Sequence, residues 1–478
     1  MATSIASLLE RLGPDVATPP PAGDLSVLVD HVTQDSREAR PGSLFCALVG
    51  TASDGHDFVS QAAAQGAAAA LVERTVDADL VQLVVDDTRR WTGLLAAALE
   101  GMPSTSLDLV GVTGTNGKTS IVTIIEHIAV TCGLPASSMG TLTGSLTTDA
   151  APGFQRQLRG YVESGHRVVA AEISSHALDQ ERVAGTTLAV SVFTNLSQDH
   201  LDYHPDMEHY FASKARLFES DRSKHAVIDT SDPWGARLAK MVSIPVTEVD
   251  GAAISQGATV NAGGSTFTWR DFEVSLPLGG RFSITNAVLA AEASVALGMS
   301  PADVAAALGS TPQIPGRFEL IDEGQDFVVI VDYSHTPASV EAAVSSARDL
   351  ATNRVLLVFG AAGDRDPGKR PLMGAAASTA DRLYITSDNP RSEDPATIID
   401  AVAAGVDSSH SENDSVVSIT DRGQAIHAAI AEACEGDVVV IAGKGHEDYQ
   451  IIGSTRLDFD DRVVARAALL ASGWSSQT

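Results

Sequence analysis

Residues 111–120 read GVTGTNGKTS and stand between the apolar run LDLV and the helix-like segment IVTIIEHIAV. A strand going in, a helix coming out and Gly-Lys-Thr between them is the arrangement in which backbone N–H groups and a helix N-terminus converge on a phosphate. It commits the surrounding chain to strands backed by helices. Gly114 and Gly117 let the backbone turn toward the anion, Lys118 can reach its terminal phosphates and the Thr119 hydroxyl can ligate magnesium. The spacing is unusual. Val112 stands where the common P-loop pattern has its first Gly, with Gly111 one place earlier and Gly114 added inside the loop. The alternative is a Gly-rich turn that holds no ligand.

A chain of 478 residues exceeds one hydrophobic core and points to about three domains. Gly and Pro interrupt the helical pattern at EGMPSTS (100–106) and at GSTPQIPGRF (309–318), which divides the chain into 1–103, 104–314 and 315–478. The middle segment alternates strand-like runs (LDLVGV, RVVAAEI, LAVSVFTN) with helical stretches, the pattern of a parallel sheet covered by helices. The last segment repeats it with FVVIVDYSH, RVLLVFGAAGD, RLYITSDNP and DVVVIAGKG, while the first is mixed α/β. Residues 243–283 turn Gly- and Thr-rich and read as antiparallel strands and loops.

The net charge of −29 argues against nucleic acid and anionic membranes as partners, since an acidic surface repels both. No run approaches the roughly 18 apolar residues that a membrane span needs. The start of the chain, MATSIASLLERLGPD, reads as a short amphipathic helix, with Glu10 and Arg11 where a signal peptide would stay apolar. Three scattered cysteines suit a reducing cytoplasm.

Ligands of open α/β sheets bind at the carboxyl ends of the strands, so the residues there carry the functional argument. Glu172 closes RVVAAEI, where it is placed either to ligate a nucleotide-bound magnesium or to serve as a cap or surface acid. The following SSH lacks the Gly-x-Ser-x-Gly elbow of a serine hydrolase. His200 and His204 in DHLDYH would share a face if helical, but Leu201 replaces the Glu of a zinc protease. Lys214, in MEHYFASKARLF, reads by itself as a solvated lysine on an amphipathic helix. In the last segment GDRDPGKRP, SDNPRSEDP and AGKGHED crowd Arg365, Asp388, Asn389, Arg391, Gly443 and Glu447 onto successive strand ends. Mixed charge of this kind suits a zwitterion: Arg forks a carboxylate, and Asp and Glu take an ammonium.

Taken together, the motifs resemble the Mur ligases. The Gly-Thr-Asn-Gly-Lys-Thr loop is the form that this family and the related folylpolyglutamate synthetases carry, and the likeness runs from DSREARPGSLFCALVG to LDFDDRVVARAAL. The resemblance implies an α/β architecture of three domains: a mixed α/β UDP-sugar domain (1–103), a central P-loop ATPase domain on a mainly parallel sheet (104–314) and a Rossmann-like amino-acid domain (315–478). The activity implied is ATP-dependent addition of meso-diaminopimelate to UDP-N-acetylmuramoyl-L-alanyl-D-glutamate, by a cytoplasmic monomer whose partners are its small-molecule substrates.

The same likeness assigns Gly114, Thr115, Asn116, Gly117, Lys118, Thr119 and Ser120, with Asn286, Arg317 and Asp332, to ATP. Ser36, Thr147, Thr148, Ser174, Gln180 and Arg182 fall to the muramoyl-dipeptide. Arg365, Asp388, Asn389, Pro390, Arg391, Gly443 and Glu447 fall to diaminopimelate. Thr119, Glu172, His200 and Lys214 would be magnesium ligands, Lys214 as a carbamate formed with CO2, which reverses the solvated reading. Lys118, Lys214, His200 and Arg317 would be catalytic. Arg391 is the specificity signal, because lysine-adding relatives usually lack it. The stretch LTGSL before the paired threonines is shorter than in most relatives. The rivals are a nucleotide-hydrolysing switch protein, a non-catalytic sugar-nucleotide-binding paralogue and a ligase for lysine or another amino acid.

Overall fold

The computed structural model describes residues 2–475 except 15–18, 51–52, 145 and 409–414. The chain opens with the amphipathic helix Ile5–Leu12, capped by Ser4, whose Oγ accepts from the Ser7 N–H. Its Ile5, Leu8 and Leu12 fall on one buried face. They pack toward a parallel sheet of His31–Thr33, Ser43–Cys46, Ala69–Val72 and Val81–Val84, in that spatial order. The helix Thr88–Leu99, capped by Asp87, closes this layer with Trp91 fully buried.

The central sheet is six-stranded and wholly parallel, ordered Val246–Val249, Ala226–Asp229, Val190–Phe193, Asp108–Thr113, Val168–Glu172, Ala136–Met139. Strand Asp108–Thr113 lies in the middle, and the chain builds one side of it before the other. Its carboxyl end is therefore the point where strand order reverses, the place for a ligand in such sheets. The helix Lys118–Thr131 leaves that point with Thr123, Glu126 and His127 on its less buried side. Ile121, Ile124, Ile125 and Ile128 are buried between the sheet and helix Arg281–Ala296, each contributing about 1.5–3 kcal/mol.

The antiparallel reading of 243–283 holds only for its second half. Thr259–Asn261, Gly264–Trp269 and Phe272–Leu276 form a three-stranded antiparallel sheet. Val246–Val249 instead extends the parallel sheet and Gly251–Gln256 is a helix, because Val249 is buried in the central core.

The third sheet runs Glu319–Ile321, Val328–Asp332, Val438–Ala442, Val355–Phe359, Arg382–Ile385, Val416–Ser418, parallel but for its first strand. Two apolar clusters cover its two faces, which explains the near-continuous apolar strands. A hairpin, Tyr449–Ile452 with Thr455–Asp458, follows the strand Val438–Ala442. The chain enters the third sheet past Gly316, whose φ of +64° and contact with the backbone of Gly445 and His446 leave no room for a side chain.

Candidate active site

Register sets the floor of the site. Val112 pairs with Glu172 and Thr113 with Phe193, so the P-loop, Glu172 and the Thr194–Asn195 corner emerge side by side. Asn116 N–H donates to Asn195 Oδ1 at 3.0 Å, and Thr115 Oγ1 lies 3.2 Å from both Ser197 O and Tyr210 Oη. Gly117, at φ +91°, is pressed against Asn286: a Cβ there would sit 2.5 Å from the amide oxygen.

Two lysine side chains converge on one carbonyl. Lys118 Nζ donates to Gly114 O at 3.0 Å and Thr115 O at 2.9 Å; Lys214 Nζ donates to Gly114 O at 2.8 Å. Lys214 is 1% exposed, so the reading of a solvated helix lysine fails. Asp206 caps its helix, Met207–Ala215, and Tyr210 and Lys214 share the face laid over the loop. Burial, and then the neighbouring Lys118, hold the Lys214 amine well below the ordinary lysine range. Burial lowers Lys118 too, partly offset by Glu172 and Asp199. The half-buried Lys118 at a helix N-terminus, with the buried Lys214 amine beside it, makes a site for an anion of high charge.

Glu172 accepts from the Thr141 N–H at 2.8 Å, so it is neither a cap nor a surface acid; Ser174 supplies the cap of the next helix. Thr119 Oγ1 receives Arg317 Nη2 at 2.9 Å, a bond between the central and third layers. His200 and His204 sit in a turn, not on a helix. His200 has φ +57° and lines the cleft, whereas His204 is buried with Nε2 3.0 Å from Ser175 Oγ.

Among the described residues no group of three or more His, Cys, Asp or Glu converges as a metal cage. One carboxylate, one hydroxyl and one imidazole around a phosphate site still fit magnesium, which keeps few protein ligands and shares them with phosphate oxygens and water.

The cleft has a volume of about 390 Å³ and is lined by Thr115 to Ser120, Thr141, Thr147, Glu172, Asp199, His200 and Asn286 of the middle segment and by Arg317, Asp332, Tyr333 and His335 of the last. Asp332 is committed to two backbone segments, its carboxylate accepting from the Phe318 and Ser334 N–H groups. Arg317 also lies over the Tyr333 ring, 4.3 Å from its centroid.

Asp199 was not singled out in the sequence. It is buried 3.5 Å from His200, 3.8 Å from His335 and 3.6 Å from Lys369, the last two across the cleft. Burial alone would raise its carboxyl, but these three neighbours outweigh it and keep it ionised. DH in a polar turn carried no signal of that convergence.

The residues assigned to the muramoyl-dipeptide form a second group. Thr148 Oγ1 donates to Glu172 O at 2.8 Å and accepts from Ser174 N–H, and Arg182 bonds Thr148 O and Gln180 Oε1. Thr147 Oγ1 lies 3.3 Å from Thr141 Oγ1. Gln180 and Arg182 also line a small cavity with Gln34, Leu48 and Arg89 of the first layer, near Ser36, whose Oγ donates to Gln61. Ser145 of the short LTGSL stretch lies outside the described residues.

The amino-acid group assembles apart from the cleft. Asp388, Asn389 and Pro390 are buried; Asn389 Nδ2 donates to Glu447 Oε2 at 3.0 Å. Arg391 is held at φ +49° by the hairpin, its N–H donating to Ile451 O and its carbonyl accepting from Gly453 N–H, while Nη1 donates to Gly363 O. Gly443 lies beside them on the crest, near the buried Arg422 and Asp388. Arg365 is exposed and is not brought into this group. Nothing next to Lys444 in the chain marks it, yet it sits fully buried among Asp388, Asn389 and Glu447.

Comparison with known proteins agrees with this layout. The family models described as Mur ligase family, catalytic domain, Mur ligase middle domain and Mur ligase, glutamate ligase domain match residues 28–99, 112–294 and 316–445. The UDP-N-acetylmuramoyl-L-alanyl-D-glutamate--2,6-diaminopimelate ligase of Geobacillus kaustophilus (strain HTA426) is 44% identical over 92% of this chain and 94% of its own. The protein of the same name from Synechococcus sp. (strain WH7803) is 41% identical over 98% and 99%. A solved structure of a ligase of that name superposes with a TM-score of 0.68 at 30% identity, covering 99% of this chain and 100% of that one. The folylpolyglutamate synthase of Mycobacterium tuberculosis shares the fold at 19% identity and a TM-score of 0.59, over 82% of this chain and 96% of its own. With a three-layer fold, a P-loop cleft and matches along most of its length, the chain belongs to the Mur ligase family.

Proposed function

We propose that this Mur ligase adds meso-diaminopimelate to UDP-N-acetylmuramoyl-L-alanyl-D-glutamate at the expense of ATP, as a monomer in the cytoplasm, with 1–103, 104–314 and 315–478 as its domains. The observation that carries this reading is Arg391, held in a left-handed turn by the hairpin on the same strand end as the buried Asp388 and Asn389, with Asn389 bonded to the half-buried Glu447. A cation beside acids matches a ligand with a distal carboxylate and ammonium; lysine offers no second carboxylate.

The γ-carboxylate of the D-glutamyl residue attacks the γ-phosphorus of ATP, the bond to the β-phosphate oxygen breaks, and ADP leaves an acyl phosphate. Lys118 and Arg317 are placed to meet the charge that develops on the transferred group. Thr119, Glu172, His200 and a carbamylated Lys214 would hold magnesium, which supplies further charge neutralisation when bound. The lowered Lys214 supports the carbamate, since only an uncharged amine attacks CO2. The deprotonated amine of diaminopimelate then attacks the acyl carbonyl, and inorganic phosphate departs. Thr147, Thr148, Ser174, Gln180 and Arg182 orient the peptide, and Ser36 the nucleotide end. The Arg317–Thr119 bond and the Lys369–Asp199 pair support closure of the third domain on the second.

The test is phosphate release from ATP with the UDP-muramoyl-dipeptide and a panel of amino acids. Release with meso-diaminopimelate and not lysine is expected; release that needs no amino acid overturns the assignment.

A further inference from the structure

Lys444 follows the strand Val438–Ala442 and is 0% exposed at its side chain. Its ammonium lies 3.3 Å from Asn389 Oδ1, 3.2 Å from Glu447 Oε2 and 3.6 Å from Asp388 Oδ1, and 5.3 Å from the Tyr449 ring centroid. A charge so deeply buried is tolerated only when it is paired on several sides. Here the partners are residues that the sequence assigns to the amino acid.

The hydrogen bonds around Lys444 leave a defined remainder. Asn389 Oδ1 accepts from Lys444 and from the Ile451 N–H at 2.9 Å, which fixes the amide so that Nδ2 points to Glu447. Glu447 Oε2 is then filled twice, by Asn389 and Lys444. Asp388 Oδ1 is buried and has no hydrogen-bond donor. A buried acceptor without a donor, with the Lys444 ammonium no nearer than 3.6 Å, is a place for a ligand ammonium.

We propose that Lys444 is the positioning residue of the amino-acid pocket, locking Asn389 and Glu447 into one unit and leaving Asp388 and the rest of Glu447 to receive an ammonium. The proposal rests on the ligase reading above. Two carboxylates this close do not both stay ionised without a cation between them; one would take a proton and become a donor where the ligand needs an acceptor. Burial and Asp388 already raise the Glu447 carboxyl, and Lys444 and Asn389 oppose the rise. The other titratable and charged groups facing it are Tyr333, Tyr449 and Arg422. A compact ammonium fits this gap; the broad guanidinium of Arg does not match its converging acceptors.

The ATP cleft does not include Lys444, so its effects separate from those on ATP. In the full-length enzyme, Lys444→Met should raise KM for diaminopimelate about tenfold or more, with KM for ATP changed less than about twofold. The acid limb of the pH profile of kcat/KM for diaminopimelate should move to higher pH, because loss of the cation raises Glu447 further. Isotope exchange between ATP and ADP in the presence of the UDP-muramoyl-dipeptide, which reports the first step alone, should persist. An unchanged KM for diaminopimelate, or an equal rise in both KM values, overturns the proposal. Where Lys444→Met does not fold, Lys444→Gln is read by the same split. Wild-type enzyme releasing no phosphate with any amino acid would instead refute the ligase reading, on a separate measurement.

Discussion

The phosphate cleft and the amino-acid pocket are built in opposite ways. The cleft takes most of its shape from one continuous loop, with Gly117 pressed on Asn286 and Lys118 folded onto its own carbonyls. The pocket has no such loop. It joins three strand ends and a hairpin mainly through side chains, Gln450 to Asp388 O, Asn389 to Glu447 and Lys444 among the acids, with the Arg391 backbone clamped to that of Ile451 and Gly453. Backbone amides serve any phosphate, so a local motif suffices; discrimination among amino acids needs charges placed at a distance from one another. The two regions touch at Tyr333, which faces Arg317 on one side and His446 on the other.

Substitutions can break this contrast or sharpen it. The largest effect is expected for Lys118→Ala, which should reduce phosphate release by about 10³-fold or more for every amino acid, with little change in Tm. Arg391→Ala should lower kcat/KM for diaminopimelate by roughly 10²-fold and leave KM for ATP within about twofold, as a lost charge-assisted contact would. Equal loss of both would place Arg391 outside the pocket. Gly316→Ala attacks the join itself: strain at positive φ and the clash with Gly445 and His446 should cost about 2–4 kcal/mol, read as a lower denaturant midpoint together with impaired turnover. Removal of bicarbonate should reduce activity severalfold and its return restore it, whereas Lys214→Arg should lose at least as much activity as bicarbonate removal does, less than Lys118→Ala, and be indifferent to bicarbonate. The smallest change is expected for Arg365→Ala, about three- to tenfold in KM for diaminopimelate, since an exposed side chain must first be ordered onto the ligand. No change at all would remove Arg365 from the pocket.

Much of the architecture could be read before any coordinates. Strand runs ending in Gly, Asp or Asn located the two large parallel sheets, and Pro and Gly near 312–316 marked the passage between them. The edge strand Val246–Val249 departs from the antiparallel expectation because four residues in a Gly- and Thr-rich stretch do not reveal whether the partner runs parallel or antiparallel. His200 and His204 were paired by spacing, yet a turn sends one to the cleft and the other toward Ser175.

Within the candidate site the division follows distance along the chain. The sequence by itself determined the P-loop, the crest acid Glu172 and the clustering of charge at three strand ends, because each depends on neighbours a few residues away. Only the tertiary structure decided that Lys214 is buried over Gly114, that Asp199 faces His335 and Lys369 across the cleft, and that Lys444 lies among Asp388, Asn389 and Glu447. The worth of a charge is set by the solvent and partners that packing removes or supplies, and neither is encoded next to it in the chain.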